Sequence, residues 1–222
     1  MLLEREPQLL DEARRTTRRV AKTFTIAVRL LPRAVRDDVH LLYLVFRTLD
    51  DLVDDGHPEA EERLAAVEAW CAERPGSSTL EVRILTELAR RYAIPRHAMA
   101  DFCAGMRSDL SFVQPETEAE LDAYCYRVAG TVGVVMSAVL GLRGDRDAAQ
   151  RAAAALGIAM QRTNILRDID EDRAAGRTYL AAETVRRFGP ADPGRREALL
   201  RDQIARADAR YAEGRMGIAQ LS

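Results

Sequence analysis

Apolar residues recur along this chain at intervals of three and four, and few segments alternate with period two. That is the pattern of amphipathic helices rather than strands. Gly and Pro fall between the periodic runs and delimit them. The first run begins near Pro7 and reaches about Leu31, where Pro32 stops it. A second extends from about Arg33 to Asp55, ended by Gly56-His57-Pro58, and a third from about Glu59 to Glu73, ended by Pro75-Gly76. Ser78 and Thr79 offer a cap for a fourth, reaching about Tyr92. Pro95 opens a fifth that ends before Pro115, and Thr117 with Glu120 reads as a capping box for a long sixth, to about Leu142. A seventh spans about Arg146 to Asp172. Gly176 then breaks the chain, a short helix follows near Glu183, and a last one covers about Arg195 to Met216. The expectation is an all-α protein, and its 222 residues suit a single domain over 1–222 with a core of its own.

Two of these helices carry an unusual polar seam. Each helical residue advances about 100°. With Asp50 at zero, Tyr43, Arg47 and Asp54 all fall within about 60° of it. Leu42, Val45, Phe46, Leu49 and Val53 take the other faces, the pattern of a helix buried nearly all round. In Gln161–Asp172 the same arithmetic puts Gln161, Asn164, Asp168 and Asp172 on one stripe, with Ile165, Leu166 and Ile169 elsewhere. Like charges four residues apart repel even on an exposed helix, and burial makes them costlier unless something neutralises them. Solvated helix ends with ordinary surface carboxylates would account for one acidic run. Two matched stripes, one with Asn and Gln on the same face, argue for a shared task. Arginine alone could neutralise them; a cation cluster is the richer answer.

Charge and cysteine usage narrow the setting. The net charge of −2 gives no basic excess pointing to nucleic acid, and Lys22 is the only lysine. Cys71, Cys103 and Cys125 show no paired metal spacing, and their odd number favours a reducing, cytoplasmic compartment with no leader peptide. No apolar run reaches the roughly 20 residues that span a bilayer, which leaves peripheral membrane contact open. His40, His57 and His97 match no metal spacing and read as surface or helix-end residues. Carboxylate oxygens without His or Cys suit magnesium, which typically takes one or two carboxylates and completes its shell with water and substrate phosphates. Two Asp pairs of this kind would hold a diphosphate through magnesium, with Arg47, Arg167 and Arg177 adding direct phosphate contacts. Ala129, Gly130 and Gly133 sit inside the sixth run, where glycine costs about 1 kcal/mol against alanine. They make room either for a ligand chain or for a close-packed helix.

At these residues the chain resembles the squalene/phytoene synthase family, the head-to-head trans-prenyltransferases. "RTLDDLVDD" is similar to that family's first aspartate-rich motif, "NILRDIDED" to its second, and "YCYRVAGTVG" (Tyr124 to Gly133) to the signature between them. "AKTFTIAVRLLP" and "GMRSDL" also fit, so the likeness runs from about residue 18 to the end. The resemblance implies the isoprenoid synthase bundle around a central cavity. It implies that Asp50 and Asp54 on one wall, and Asp168 and Asp172 on the other, bind magnesium (or manganese) with diphosphate. It places Gln161 and Asn164 as polar active-site residues and Arg47, Arg167 and Arg177 as phosphate-binding catalytic arginines. Tyr43 and Tyr124 would face carbocations, and Phe24, Ala129 and Gly133 would line the substrate cavity.

The implied reaction condenses two farnesyl or geranylgeranyl diphosphates through a cyclopropylcarbinyl diphosphate to a phytoene- or squalene-type product. NADPH would enter only if squalene is formed. Two departures stand out. Where the family's second motif often continues to Tyr-Leu-Pro, this chain has Tyr179-Leu180-Ala181. Ser222 also falls where the family's closing helices would begin, so a bundle without its last helices is expected: either the chain is truncated, or a partner or second subunit covers the gap, or the protein has another task. A terpene cyclase or prenyl diphosphatase on the same site, or a catalytically silent assembly subunit, are the competing readings.

Overall fold

A computed structural model of the chain describes residues 6–20 and 22–221. Among them there is no strand; the one bridge pairs Leu142 with Leu221. The helices are α1 (Pro7–Val20), α2 (Lys22–Arg29), α3 (Arg33–Asp54), α4 (Ala60–Cys71), α5 (Leu80–Ala89), α6 (Arg96–Leu110), α7 (Glu118–Cys125), α8 (Thr131–Leu140), α9 (Arg146–Arg167), α10 (Ile169–Ala174), α11 (Ala182–Phe188) and α12 (Glu197–Arg215). The caps do what their residue types suggest. Asp145 accepts from the amides of Asp147 and Ala148 at the start of α9. Thr117 accepts from the amide of Glu120 at 3.2 Å, while the Glu120 carboxylate reaches back to the amide of Glu116 at 2.7 Å rather than to Thr117 itself.

Three expected helices are divided. The first is α1 and α2, on either side of Ala21, which lies outside the described residues; the Thr25 hydroxyl donates to the Thr17 carbonyl at 3.1 Å, tying α2 to α1. The sixth is α7 and α8 joined by a π-helical turn, Tyr126–Gly130. The seventh breaks at Asp168, whose backbone (φ −98°, ψ 10°) leaves the helical region between α9 and α10. Together α7, the π turn and α8 form one helical run, Glu118–Leu140, that by length and composition could cross a membrane, against the sequence expectation. Half of its apolar window is buried inside the protein, as in a core helix.

The chain divides into two compact units. The first is Met1–Leu110 with Val135–Gly141, and the second is Ser111–Val134 with Leu142–Leu221. The first unit is built around α3. Leu41, Leu42, Leu49, Leu64, Leu85, Leu88 and Phe102 are fully buried there, and Phe46 meets Phe102 edge-on at 4.8 Å. Asp38, also buried, accepts two bonds from Arg91 (2.7 and 2.8 Å) and one from the Tyr92 hydroxyl (2.6 Å). His40 is buried rather than superficial, at 6% exposure, with Nδ1 3.0 Å from the Thr17 hydroxyl. Burial lowers its pKa. His57 and His97 are exposed, as expected.

In the second unit α9 packs along α12, and Leu121, Tyr124, Ile158, Ile165, Ile169, Leu180 and Leu199 share a core. A Cβ on Gly133, in the signature, would stand 2.3 Å from the carbonyl oxygen of Ala153, and one on Gly157 of α9 would stand 2.3 Å from that of Ala129. Both glycines allow close packing of the π turn and α8 against α9.

Candidate active site

The first acidic segment closes α3. Tyr43, Arg47 and Asp50 lie half-buried on one stripe, with the Asp54 end exposed, while Leu42, Val45, Phe46, Leu49 and Val53 are buried. Arg47 donates from Nη1 to Asp50 at 2.9 Å and from Nη2 to Asp51, a partner the helical stripe did not pick out. Asp51 follows Arg47 by four residues, the spacing at which a helix brings opposite charges together. The Nε of Arg47 is buried and has no acceptor among the described residues. The Asp50 carboxyl is pushed up to about 6, first by burial and then by the charge of Asp54, against the opposing pull of Arg47. Phe24 of α2 stacks on Tyr43 at 5.3 Å with rings 29° apart. Burial raises the Tyr43 hydroxyl above its ordinary value, so that ring stays neutral.

The second acidic segment runs from the end of α9 through α10. The break at Asp168 does not interrupt the four-residue ladder: its amide donates to Asn164 and its carbonyl accepts from Asp172, both at 2.9 Å. The Asp pair therefore keeps its helical spacing. Arg167 clamps Asp168 with two bonds, 2.6 and 2.5 Å, and holds that carboxyl below its usual value. Asp172 shifts the other way, raised by burial and then by Asp168. Asn164 reaches Gln161 at 3.5 Å. A recess of about 190 Å³ has Asp172 and Arg177 on its polar side and Ile165, Ile169, Leu180 and Val185 on its apolar side.

Aromatic rings gather beside this segment. Tyr179 stacks on Tyr124 at 5.5 Å, Phe112 meets Tyr179 edge-on at 4.7 Å, and Arg177 donates to the Tyr179 hydroxyl at 3.3 Å. Phe112 and Tyr179 were not singled out in the sequence; the Tyr179-Leu180 pair after the motif was the available signal. The Cys125 thiol, pushed up to about 12 by burial, is no nucleophile.

A buried ionic network was also missed. Arg162, 4% exposed, donates to Asp122 (2.6 Å), Gln203 (3.1 Å) and the Glu118 carboxylate (2.9 Å). Glu118 also accepts from Thr184 and from Gln203 (2.8 Å), and Arg210 holds the other oxygen of Asp122 at 2.6 Å. Burial pushes the Asp122 carboxyl up, but Arg210 and Arg162 outweigh it and leave it below the ordinary value. An arginine on the apolar side of α9 was its only mark in the sequence.

Among the described residues no three acidic, His or Cys side chains converge closely enough to hold a cation unaided. Magnesium does not require that, since it binds through one or two carboxylates and takes its other oxygens from water and phosphate. Carboxyls whose ionised form is disfavoured in the bare fold, at Asp50 and Asp172, gain from a cation, and the open Nε of Arg47 suits a phosphate oxygen. The donor set fits the ion.

Known proteins resemble this chain over most of its length. The family model described as squalene/phytoene synthase matches residues 17–222. The 15-cis-phytoene synthase of Synechococcus elongatus is 34% identical, over 96% of this chain and 76% of that enzyme. The phytoene synthase of Thermus thermophilus is 37% identical, over 93% and 74%. The presqualene diphosphate synthase of Zymomonas mobilis is 36% identical, over 86% and 69%. Among solved structures, a dehydrosqualene synthase in complex with a ligand superposes with a TM-score of 0.89 at 27% identity, covering 99% of this chain and 80% of that one. Its all-α isoprenoid synthase fold is the fold of this chain. With two aspartate-rich segments, the signature between them and these relatives, the chain belongs to the squalene/phytoene synthase family and is a prenyltransferase.

Proposed function

We propose that this chain condenses two molecules of one prenyl diphosphate head to head, with magnesium, through a cyclopropylcarbinyl diphosphate to a phytoene-type hydrocarbon. The observation that carries this reading is the pair of acidic segments, each with two aspartates at four-residue spacing and an arginine bonded to the first of them. The family match runs through both compact units, so we take them as parts of one synthase domain.

Asp50, Asp54, Asp168 and Asp172 would hold magnesium, whose contribution is to neutralise the charge of the departing diphosphate. Arg47, Arg167 and Arg177 would turn from their present partners to phosphate oxygens, with guanidinium geometry suited to two parallel bonds. Gln161 and Asn164 would position the diphosphate end of the substrate. The faces of Tyr43, stacked on Phe24, and of Tyr124, stacked on Tyr179, offer a developing carbocation negative π density without a reactive lone pair. The apolar side of the recess beside Asp172, lined by Ile165, Ile169, Leu180 and Val185, would keep water from that cation. Ala129, in the π turn, would bound the prenyl chain.

A second reading, which stops at the cyclopropylcarbinyl diphosphate, is favoured by the 36% identity to a presqualene diphosphate synthase. The test is incubation with magnesium and, separately, farnesyl and geranylgeranyl diphosphate, with and without NADPH, followed by mass spectrometry of organic extracts. A hydrocarbon of doubled length is expected from the geranylgeranyl substrate without NADPH. A cyclopropyl diphosphate as the end product would select the second reading. A cyclic product or free alcohol of unchanged length would overturn the coupling.

A further inference from the structure

Between Glu12 and Asp37 the chain carries eight basic residues and no acidic one, although its net charge is −2. Among the described side chains, Arg14 and Arg36 are engaged within the fold. Arg14 pairs with Asp37 at 2.8 Å, and Arg36 donates to the carbonyls of Arg29 (2.8 Å) and Leu31 (2.9 Å). The Arg36 bonds cap the end of α2 and pin the corner between α2 and α3. On that pinned corner Leu30 is 85% exposed, the highest value among the exposed large apolar side chains described, and Ile26, one turn back, is 64% exposed. Exposed Arg29 and Arg33 stand on either side of Leu30 in sequence. The bond from Thr25 to Thr17 ties α2 to the last turn of α1, where Arg18 and Arg19 are exposed. Among the described residues Arg19, Arg29 and Arg33 make no ion pair.

A single exposed leucine needs no explanation. Two large apolar side chains four residues apart, on a braced corner and flanked in sequence by exposed Arg29 and Arg33, match a different demand. Apolar side chains enter the headgroup–acyl boundary of a bilayer while basic ones meet anionic headgroups. A nucleic acid would use the charge but has no place for Ile26 and Leu30. We propose that the α1–α2–α3 corner docks this protein on an anionic lipid surface, with Ile26 and Leu30 inserted and Arg19, Arg29 and Arg33 on the headgroup phosphates. Docking stands apart from the catalytic reading, and its test contains no substrate, so either can fail without the other.

The full chain is sedimented with vesicles of phosphatidylcholine alone and of phosphatidylcholine with phosphatidylglycerol in a two-to-one ratio. Binding to the anionic vesicles only, weakening as salt is raised, is expected. The double variant Arg29→Gln and Arg33→Gln should lower the partition coefficient about 25-fold, at about fivefold per charge. The matching lysine variants should retain binding. Leu30→Ser should lower it about tenfold, since only part of the leucine side chain leaves water at the interface. Met216→Ser, an equally superficial change (Met216 is 71% exposed) outside this corner, should leave it unaltered. Each altered side chain is exposed, so unfolding midpoints should match the parent. No binding to anionic vesicles, or binding indifferent to both Leu30→Ser and the glutamine variant, overturns the proposal. So does binding that a short DNA duplex abolishes while Leu30→Ser has no effect, which would assign the corner to nucleic acid.

Discussion

Replacing Arg162 with Met removes one centre of the buried ionic network and keeps most of the side-chain volume. Three charged or polar groups lose a donor: Asp122 at 2.6 Å, Glu118 at 2.9 Å and Gln203 at 3.1 Å. Breaking one side of a buried ion pair costs about 3–5 kcal/mol, because the surviving charge stays desolvated. The lower end applies here. Asp122 keeps Arg210 at 2.6 Å, and Glu118 keeps Gln203 at 2.8 Å and the Thr184 hydroxyl. For a chain of this length about 3 kcal/mol corresponds to a fall in Tm of about 6–12 °C. Thermal unfolding followed by circular dichroism reads it directly. Adding Glu118→Gln and Asp122→Asn to Arg162→Met should recover part of the loss, since no unpaired charge then remains. A fall in Tm of less than about 2 °C for Arg162→Met alone would refute the account of this network as a desolvated, interdependent cluster.

Gly157→Ala should cost about 1–3 kcal/mol in urea unfolding, because its methyl would stand 2.3 Å from the Ala129 carbonyl oxygen and 2.7 Å from the Gly130 Cα, backbone atoms that cannot swing aside; an unchanged midpoint would mean the π turn and α9 are not in close contact. Asp50, at about 6 in the fold against 3.8 ordinarily, binds its proton more readily folded than unfolded, so the metal-free protein should gain stability as pH falls through 6 toward 4. Magnesium needs the carboxylate, so its affinity, measured by calorimetric titration, should weaken over the same fall; an affinity flat across that window argues against Asp50 as a ligand. Asp54→Asn and Asp168→Asn should each abolish turnover of prenyl diphosphate while helicity by circular dichroism stays at the parent level, and near-normal turnover in either would remove that residue from the site.

Much of the candidate site was legible because it is local. Tyr43, Arg47, Asp50 and Asp54 share a stripe through the 3.6-residue turn alone, and so do Gln161, Asn164, Asp168 and Asp172, whose backbone ladder persists even across the break at Asp168. The stripe did not show which partners its charges take in the bare fold: Arg47 bonds Asp50 and Asp51, and Arg167 bonds Asp168. His40 looked like a surface residue because a sequence does not show which helix covers it; α1 does, through Thr17.

The amino-acid sequence by itself determined the all-α class, the extent of α3, the caps at Thr79 and Thr117, and the two acidic segments, because each depends on residues within a turn or two of one another. Tertiary structure alone decided the rest. The partners of Arg162 lie 40 or more residues away along the chain. The tight fit at Gly133 and Gly157 depends on how closely α9 approaches α8 and the π turn. Leu30 stands exposed on a corner where Arg36 bonds the carbonyls of Arg29 and Leu31. Contacts of that kind form only when distant segments are packed together, and no local periodicity encodes which segments those are.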